Sequence, residues 1–319
     1  MVMEEKVFVI FNTTSIGDIL VTNTLVQNIK LYYPESKVIF VCRTEMLDVA
    51  KYQTGVNDVV TFDKQKDNNW NGILKFAKNF PYKKPFAAFV TYANDRNLLI
   101  SRLIGAQHII SHHKFKLWNT FEKYEMREYT HMKDKWGGMI EALTNEHKNL
   151  PIKYMPPEIN NELIQKIKEL NNPVALSVTS NLKRKDMGVN DCKELIHLLK
   201  INGYTPVMTG AGKAARQFVI DLKKAGCIDF VDIVDCTSIP ELANVLKACG
   251  SCISVDTGTL HLANALNIPV VGIFYIGLAY MWGSDTNLYP AKILDHDTDG
   301  EITPSDIIKA YKELMGVCV

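Results

Sequence analysis

The chain lacks any long apolar run. None reaches the roughly 18–20 residues that a membrane-crossing helix needs, so no such span is expected. It also lacks net charge: 36 Lys and Arg against 35 Asp and Glu leave +1. That removes a global pull toward nucleic acid or an acidic membrane, and only local clusters remain to weigh. There is no paired cysteine framework. Seven cysteines are scattered along 319 residues, an odd number, which fits a reducing cytosol better than a disulfide scaffold. Cys249 and Cys252 have Cys-x-x-Cys spacing, but Cys252 falls inside an expected strand and no second pair completes a zinc site. Both are expected as small core residues. No repeat and no low-complexity tract is present. Residues 1–6 lead straight into an apolar run, so no secretory leader is expected.

What is present is hydrophobic residue in quantity, 47% of the chain. At this length two domains are likelier than one. Val7 to Phe11 reads as a strand, Gly17 to Tyr33 as a helix closed by Pro34, and Lys37 to Val41 as the next strand. That alternation is βαβ grammar, hence a parallel sheet with right-handed crossovers. Val56 to Phe62 and Pro85 to Thr91 continue it. Asn149 to Pro157 is proline-rich and without periodicity, as a linker would be. The pattern then restarts with strands at Val174 to Val178, Thr205 to Thr209 and Phe230 to Asp232, and helices between them.

Ser251 to Tyr275 organises the second half. Two short β-branched runs, Cys252 to Val255 and Val270 to Tyr275, flank a helix-spaced segment from Gly258 to Leu266 that Asn267 and Pro269 stop. The turn between strand and helix is Asp256-Thr257-Gly258-Thr259. Free amides in a helix's first turn make an anion site, and Gly258 allows an oxyanion close to the backbone. His261 lies one turn on and can donate to that anion or to a sugar hydroxyl. The plainer alternative stays open: Asp256 and Thr257 cap the helix, and His261 packs beneath it.

A second motif, Asn12 to Asp18, follows the first strand, where open α/β sheets keep their ligands. Asp18 falls in a first helical turn, where the dipole favours its ionised form, and an ionised carboxylate can serve as a general base. Otherwise it only favours the helix start. Lys64, Lys66, Lys75, Lys78, Lys83 and Lys84 form a basic stretch that reads mostly as a solvated face, with a patch for an anionic glycolipid as the alternative. His108 to Lys116 is another basic cluster. Its adjacent His112 and His113 are poorly spaced for one metal and are expected at the surface.

Ser254 to Phe274, SVDTGTLHLANALNIPVVGIF, resembles the signature of the family 9 glycosyltransferases, the lipopolysaccharide heptosyltransferases. In that family an Asp-Thr-Gly followed by a His opens the helix that binds the donor's nucleotide diphosphate. Asp256, Thr257, Gly258 and His261 match those positions, with Thr259 in the same helix start. The family also carries a Ser-x-Gly-Asp after its first strand, whose Asp is the proposed catalytic base; Ser15, Gly17 and Asp18 match. Lys185 falls on the family's phosphate-contacting lysine, with Lys183 and Arg184 as neighbouring alternatives. Thr209 and Gly210 resemble the strand-end Thr-Gly near the nucleoside. Family arginines that hold acidic sugars of the acceptor point to Arg96 and Arg102, without a clean alignment. The chain departs from the family at Phe274 to Gly277, at Met187-Gly188, and at Lys213 to Ala215, where some members place an acid for the ribose.

The resemblance implies the GT-B architecture: two Rossmann-like parallel-sheet domains facing across a cleft. The expected division is 1–155 for the acceptor and 156–302 for the nucleotide sugar, with a helix at 303–319 packing back on the first domain. It implies an inverting glycosyltransferase that moves a sugar, with ADP-heptose as the first candidate donor, to a hydroxyl of a lipopolysaccharide core or other glycan. Asp18 would be the general base. No obligatory cofactor is implied, and magnesium is left open as a stimulant. The expected partners are the nucleotide-diphosphate sugar and an anionic glycolipid or oligosaccharide, with no nucleic acid. The expected location is the cytoplasm, with at most peripheral contact at the inner face of the membrane. A 2-epimerase-like sugar-nucleotide enzyme and a non-catalytic nucleotide-sugar binder are the alternatives.

Overall fold

The computed structural model describes residues 5–92, 95–112, 122–123 and 131–317. The chain divides into two compact units, Met1–Met155 and Pro156–Val319. In the first, the strands are β1 (Val7–Phe11), β2 (Lys37–Arg43), β3 (Asp58–Phe62), β4 (Ala87–Val90), β5 (His108–Ser111) and β6 (Glu122–Lys123). They pair in parallel in the order β3-β2-β1-β4-β5-β6. In the second, they are β7 (Pro173–Ser177), β8 (Thr205–Met208), β9 (Val231–Asp232), β10 (Cys252–Val255), β11 (Val270–Phe274) and β12 (Ala291–Asp295). These are again parallel, in the order β12-β11-β10-β7-β8-β9.

The two orders are one order. Counted from its own first strand, each sheet reads 3-2-1-4-5-6, the doubly wound Rossmann arrangement. It reverses between β1 and β4 in the first unit and between β7 and β10 in the second. Crossovers on both faces demand strands that are apolar throughout. The chain supplies them: Phe8 to Phe11 have no exposed surface, and neither have Cys252, Ile253, Ser254 and Val255. Each unit has its own core. One is built on Val9, Phe11, Ile39 and Phe89's neighbours Ala88 and Val90, the other on Leu176, Leu195, Ile253 and Ile273.

Two expectations need correction. The helix over 17–33 is two helices, Ile16–Val21 and Asn23–Tyr32. The Thr22 hydroxyl donates back to the Asp18 carbonyl at 2.8 Å, and Asn12 Nδ2 donates to Thr22 Oγ1 at 2.8 Å. A threonine that bonds the preceding turn in this way bends a helix. The basic cluster from His108 opens as β5, with Ile109 and Ile110 in the core; His113 to Lys116 lie outside the described residues. His112 is half-buried against Trp136, ring centroids 5.7 Å apart, not out on the surface. Residues 276–300 contain β12, whose Ala291 to Asp295 pair with β11.

The C-terminal helix is Pro304–Leu314. A capping box of Thr303 and Asp306 starts it, with Thr303 Oγ1 donating to the Asp306 carboxylate at 2.6 Å. Its apolar face, Ile307, Ile308, Ala310 and Tyr311, sits in the second unit's core, and Tyr311 Oη shares a 2.8 Å hydrogen bond with Ser251 Oγ. Cys249 and Cys252 are buried free thiols, and burial pushes the Cys249 thiol up to about 12, which makes it unreactive packing material.

Candidate functional site

At the second unit's reversal, β10 ends at Val255 and turns through Asp256 and Thr257 into the helix Gly258–Ala265. Seven of that helix's residues are buried, from Thr259 to Ala265. It lies close on the sheet because β11 offers Gly272 beneath it: a Cβ there would meet Ile293 Cδ1 at 2.9 Å and Leu260 Cδ1 at 3.1 Å. Thr257 occupies the N-cap with extended backbone, but its side chain makes no cap hydrogen bond. The Leu260 amide donates back to the Thr257 carbonyl at 3.1 Å; the Gly258 and Thr259 amides ahead of it are the donors that a helix start offers an anion. Thr259 is buried and its hydroxyl accepts from Ser177 Oγ at the end of β7, 3.1 Å away.

Across the same reversal, β7 runs into a short 3-10 turn, Lys183–Lys185. Asp186 shapes it by accepting the Ser180 amide at 2.6 Å, and the Met187 amide returns to the Val178 carbonyl at 3.0 Å. Lys183 and Arg184 are exposed. Lys185 turns inward, and its ammonium donates to Asp256 Oδ2 at 2.5 Å. The two side chains are only 16% and 7% exposed. This settles which of the three basic residues is drawn to the motif. Without Lys185, the buried Asp256 carboxylate would repel an anion at the adjacent helix start; with it, the pair is neutral and an ammonium stands within reach.

His261 is buried, with its ring against Trp282 at 5.9 Å between centroids, which is the packing the plainer alternative describes. Thr209 is buried too, and its hydroxyl is committed to the Leu176 carbonyl at 3.0 Å. Gly210 has φ +144, and a Cβ there would meet Ala215 Cβ at 3.0 Å; only glycine suits that turn. Beside it stands Asp235, a residue the sequence did not single out. Its amide donates to the Gly210 carbonyl at 2.9 Å, and its carboxylate accepts from the Gly212 amide at 2.5 Å and Arg216 Nε at 3.3 Å. An acid absent from Lys213 to Ala215 thus reaches this edge from the loop after β9.

At the first unit's reversal, β1 ends at Phe11 and Asn12 to Ser15 form the turn into Ile16–Val21. Asp18 is half-buried. Its Oδ2 accepts from the Ser15 hydroxyl at 2.6 Å, and its Oδ1 accepts from Tyr92 Oη at 3.0 Å. The first bond belongs to a capping box. The second has no role in the helix: Tyr92 comes from just past β4, across the reversal. Burial first, and the Asp18 charge second, raise the Tyr92 phenol above its ordinary value, so it stays a proton donor. Its ring leans on buried Trp136 at 5.5 Å.

Of the other candidates, Gly17 is buried inside this first helical turn. Arg96, in the first turn of the helix Asp95–Leu103, faces the same edge. It donates to Thr13 Oγ1 at 3.2 Å and Asn68 Oδ1 at 2.8 Å, and its guanidinium lies over the Phe62 ring at 4.0 Å. Arg102 is exposed in the last turn of that helix. The chain there runs back toward the start of β4, with the Lys84 amide bonded to the Ile104 carbonyl at 2.8 Å, so Arg102 is at the opposite edge from Asp18. Among the described residues no group of three or more His, Cys, Asp or Glu is placed to hold a metal ion.

The sequence profile of glycosyltransferase family 9 (heptosyltransferase) matches residues 99–277, more than half of the chain. No curated protein matches by sequence. Among solved structures, a family 9 glycosyltransferase from Veillonella parvula DSM 2008 superposes with a TM-score of 0.83 at 18% identity, covering 99% of this chain and 98% of that one. The E. coli ADP-heptose lipopolysaccharide heptosyltransferase II gives 0.76 at 15% identity, covering 97% and 98%. An E. coli heptosyltransferase solved with ADP, WaaC, gives 0.76 at 16%, covering 97% and 99%. The fold is therefore that of the GT-B heptosyltransferases.

Proposed function

The chain belongs to glycosyltransferase family 9, and from that premise we propose that it transfers a sugar with inversion from a nucleotide-diphosphate donor to a glycan hydroxyl. ADP-heptose is the first candidate donor, because relatives of this fold use it or bind ADP. The acceptor is a lipopolysaccharide core or a similar anionic glycan. The observation that carries the reading is the Lys185–Asp256 ion pair beside the uncapped start of the helix Gly258–Ala265.

The donor's diphosphate lies against the amides at Thr257 to Thr259, and Lys185 shares its charge between Asp256 and the phosphate. Gly210 and Asp235 border the nucleoside, with the Asp235 carboxylate available to ribose hydroxyls. In the productive complex Asp18 accepts the proton of the acceptor hydroxyl. That oxygen forms the new bond to the anomeric carbon as the bond to the diphosphate oxygen breaks. One displacement inverts the centre, the nucleoside diphosphate departs with the bonding pair, and the proton passes from Asp18 to water. The amides and Lys185 stabilise the departing charge, a role a metal fills elsewhere. No metal is required in this reading, and magnesium acts at most as a stimulant. Arg96 is the acceptor-side cation; Arg102 is left out of the site.

A positioned base is worth roughly 10²–10⁴-fold in rate. Asp18→Asn is expected to lower turnover of ADP-heptose by that order, measured as ADP release in the presence of acceptor. Wild-type turnover in this variant removes Asp18 from the reaction.

A further inference from the structure

The segment 63–84 carries six lysines against two aspartates, in a chain whose net charge is +1. It folds as a tight loop after β3 followed by the amphipathic helix Trp70–Asn79. Ile73 and Ala77 face the core. The flank beside them is unusual. Trp70 is 64% exposed and Leu74 50%, one turn apart and followed by Lys78, so they form one ridge. Lys64, Lys66 and Lys75 are exposed beside it.

The arrangement is held in place. Asn69 caps the helix by accepting the Gly72 amide at 2.8 Å. The loop presses on Gly72, where a Cβ would meet the Lys66 carbonyl at 2.3 Å, so the lysine-bearing loop is locked to the helix start. Lys83 donates to the Ala77 and Lys78 carbonyls and closes the helix end. On the far side of Lys75 runs a groove of about 410 Å³, with Val60, Phe76, Phe80 and Pro81 in its walls and Lys66 and Lys75 among its lining.

We propose that this face docks on an anionic lipid bilayer. Trp and Leu enter the boundary between headgroups and chains, where an indole is favoured, and the lysines meet anionic headgroups. Each such lysine is worth roughly fivefold in binding. The face is joined to the acceptor side of the first unit: Asn68, one residue before the cap, accepts from Arg96, which also reaches Thr13 in the turn that leads to Asp18. A lipid-anchored acceptor would thus arrive at the edge that holds the base. That purpose rests on the proposed transfer reaction; the docking does not.

The test is co-sedimentation of the full chain with phosphatidylglycerol vesicles and with phosphatidylcholine vesicles. The expected result is binding to the anionic vesicles only, weakened by salt because screening shortens to ~10 Å at 0.1 M. Trp70→Ser/Leu74→Ser/Lys75→Gln/Lys78→Gln should weaken it more than roughly tenfold, while the rise in Tm on adding ADP stays at the wild-type value. Should the fourfold variant misfold, Lys75→Gln/Lys78→Gln alone should still weaken vesicle binding by roughly tenfold or more. Equal binding to both lipids, or unchanged binding by these variants, overturns the proposal. So does a vesicle-free dimer that the substitutions dissolve, which would assign the face to a second copy. A wild-type chain that binds vesicles but shows no ADP shift strikes the donor reading and leaves the docking intact.

Discussion

Both sheets reverse strand order once, and a carboxylate stands at each reversal, but the two are held by different groups. In the first unit Asp18 accepts from two hydroxyls, Ser15 and Tyr92. In the second Asp256 is bound to an ammonium, Lys185. Hydroxyl donors orient a carboxylate and leave its charge in place, so it can still take a proton. A lysine cancels that charge and brings a cation that an incoming anion can share. One topology, used twice, thus yields a proton acceptor in one half and an anion holder in the other.

The contrast can be broken from the second side first, where the effect is largest. Lys185→Met leaves a carboxylate that is 7% exposed without its cation, and breaking a buried pair costs about 3–5 kcal/mol. Denaturant unfolding should show that loss. Lys185→Met/Asp256→Asn should regain most of the stability and none of the donor affinity. If the single variant is as stable as wild type, the pair is not coupled and the contrast fails.

A smaller effect is expected in the first unit. Tyr92→Phe removes one hydrogen bond to a charged group, worth about 1.5–3 kcal/mol. Turnover should fall roughly tenfold, with KM near the wild-type value and Tm lowered by roughly 3–12 °C. A raised KM with turnover kept would make Tyr92 an acceptor contact instead of the group that orients Asp18.

Much of this was legible in the sequence, and the reason is local. Strands buried on both faces announce themselves as unbroken apolar runs, and the Asp256 to Thr259 turn is a contiguous motif, as is Ser15 to Asp18. What escaped was set by contact between distant segments. Tyr92 lies 74 residues from Asp18, and nothing in Thr91-Tyr92 marks it except its place just past a strand. Asp235 takes a left-handed backbone, φ +63, which no pattern in Val234-Asp235-Cys236 signals. Lys185 was singled out only by its family position, with Lys183 and Arg184 as alternatives, and it is the 3-10 turn that aims it at Asp256. The strand at Ala291 to Asp295 was hidden because its run is short and carries Lys292, which sits exposed at the sheet edge.

The division of labour between the two carboxylates is tested most directly by titrating ADP into three proteins and reading the dissociation constants. Asp18→Asn should bind ADP as tightly as wild type, and Lys185→Met/Asp256→Asn should bind it at least roughly tenfold more weakly. Equal weakening in both variants, or none in the second, would contradict the account.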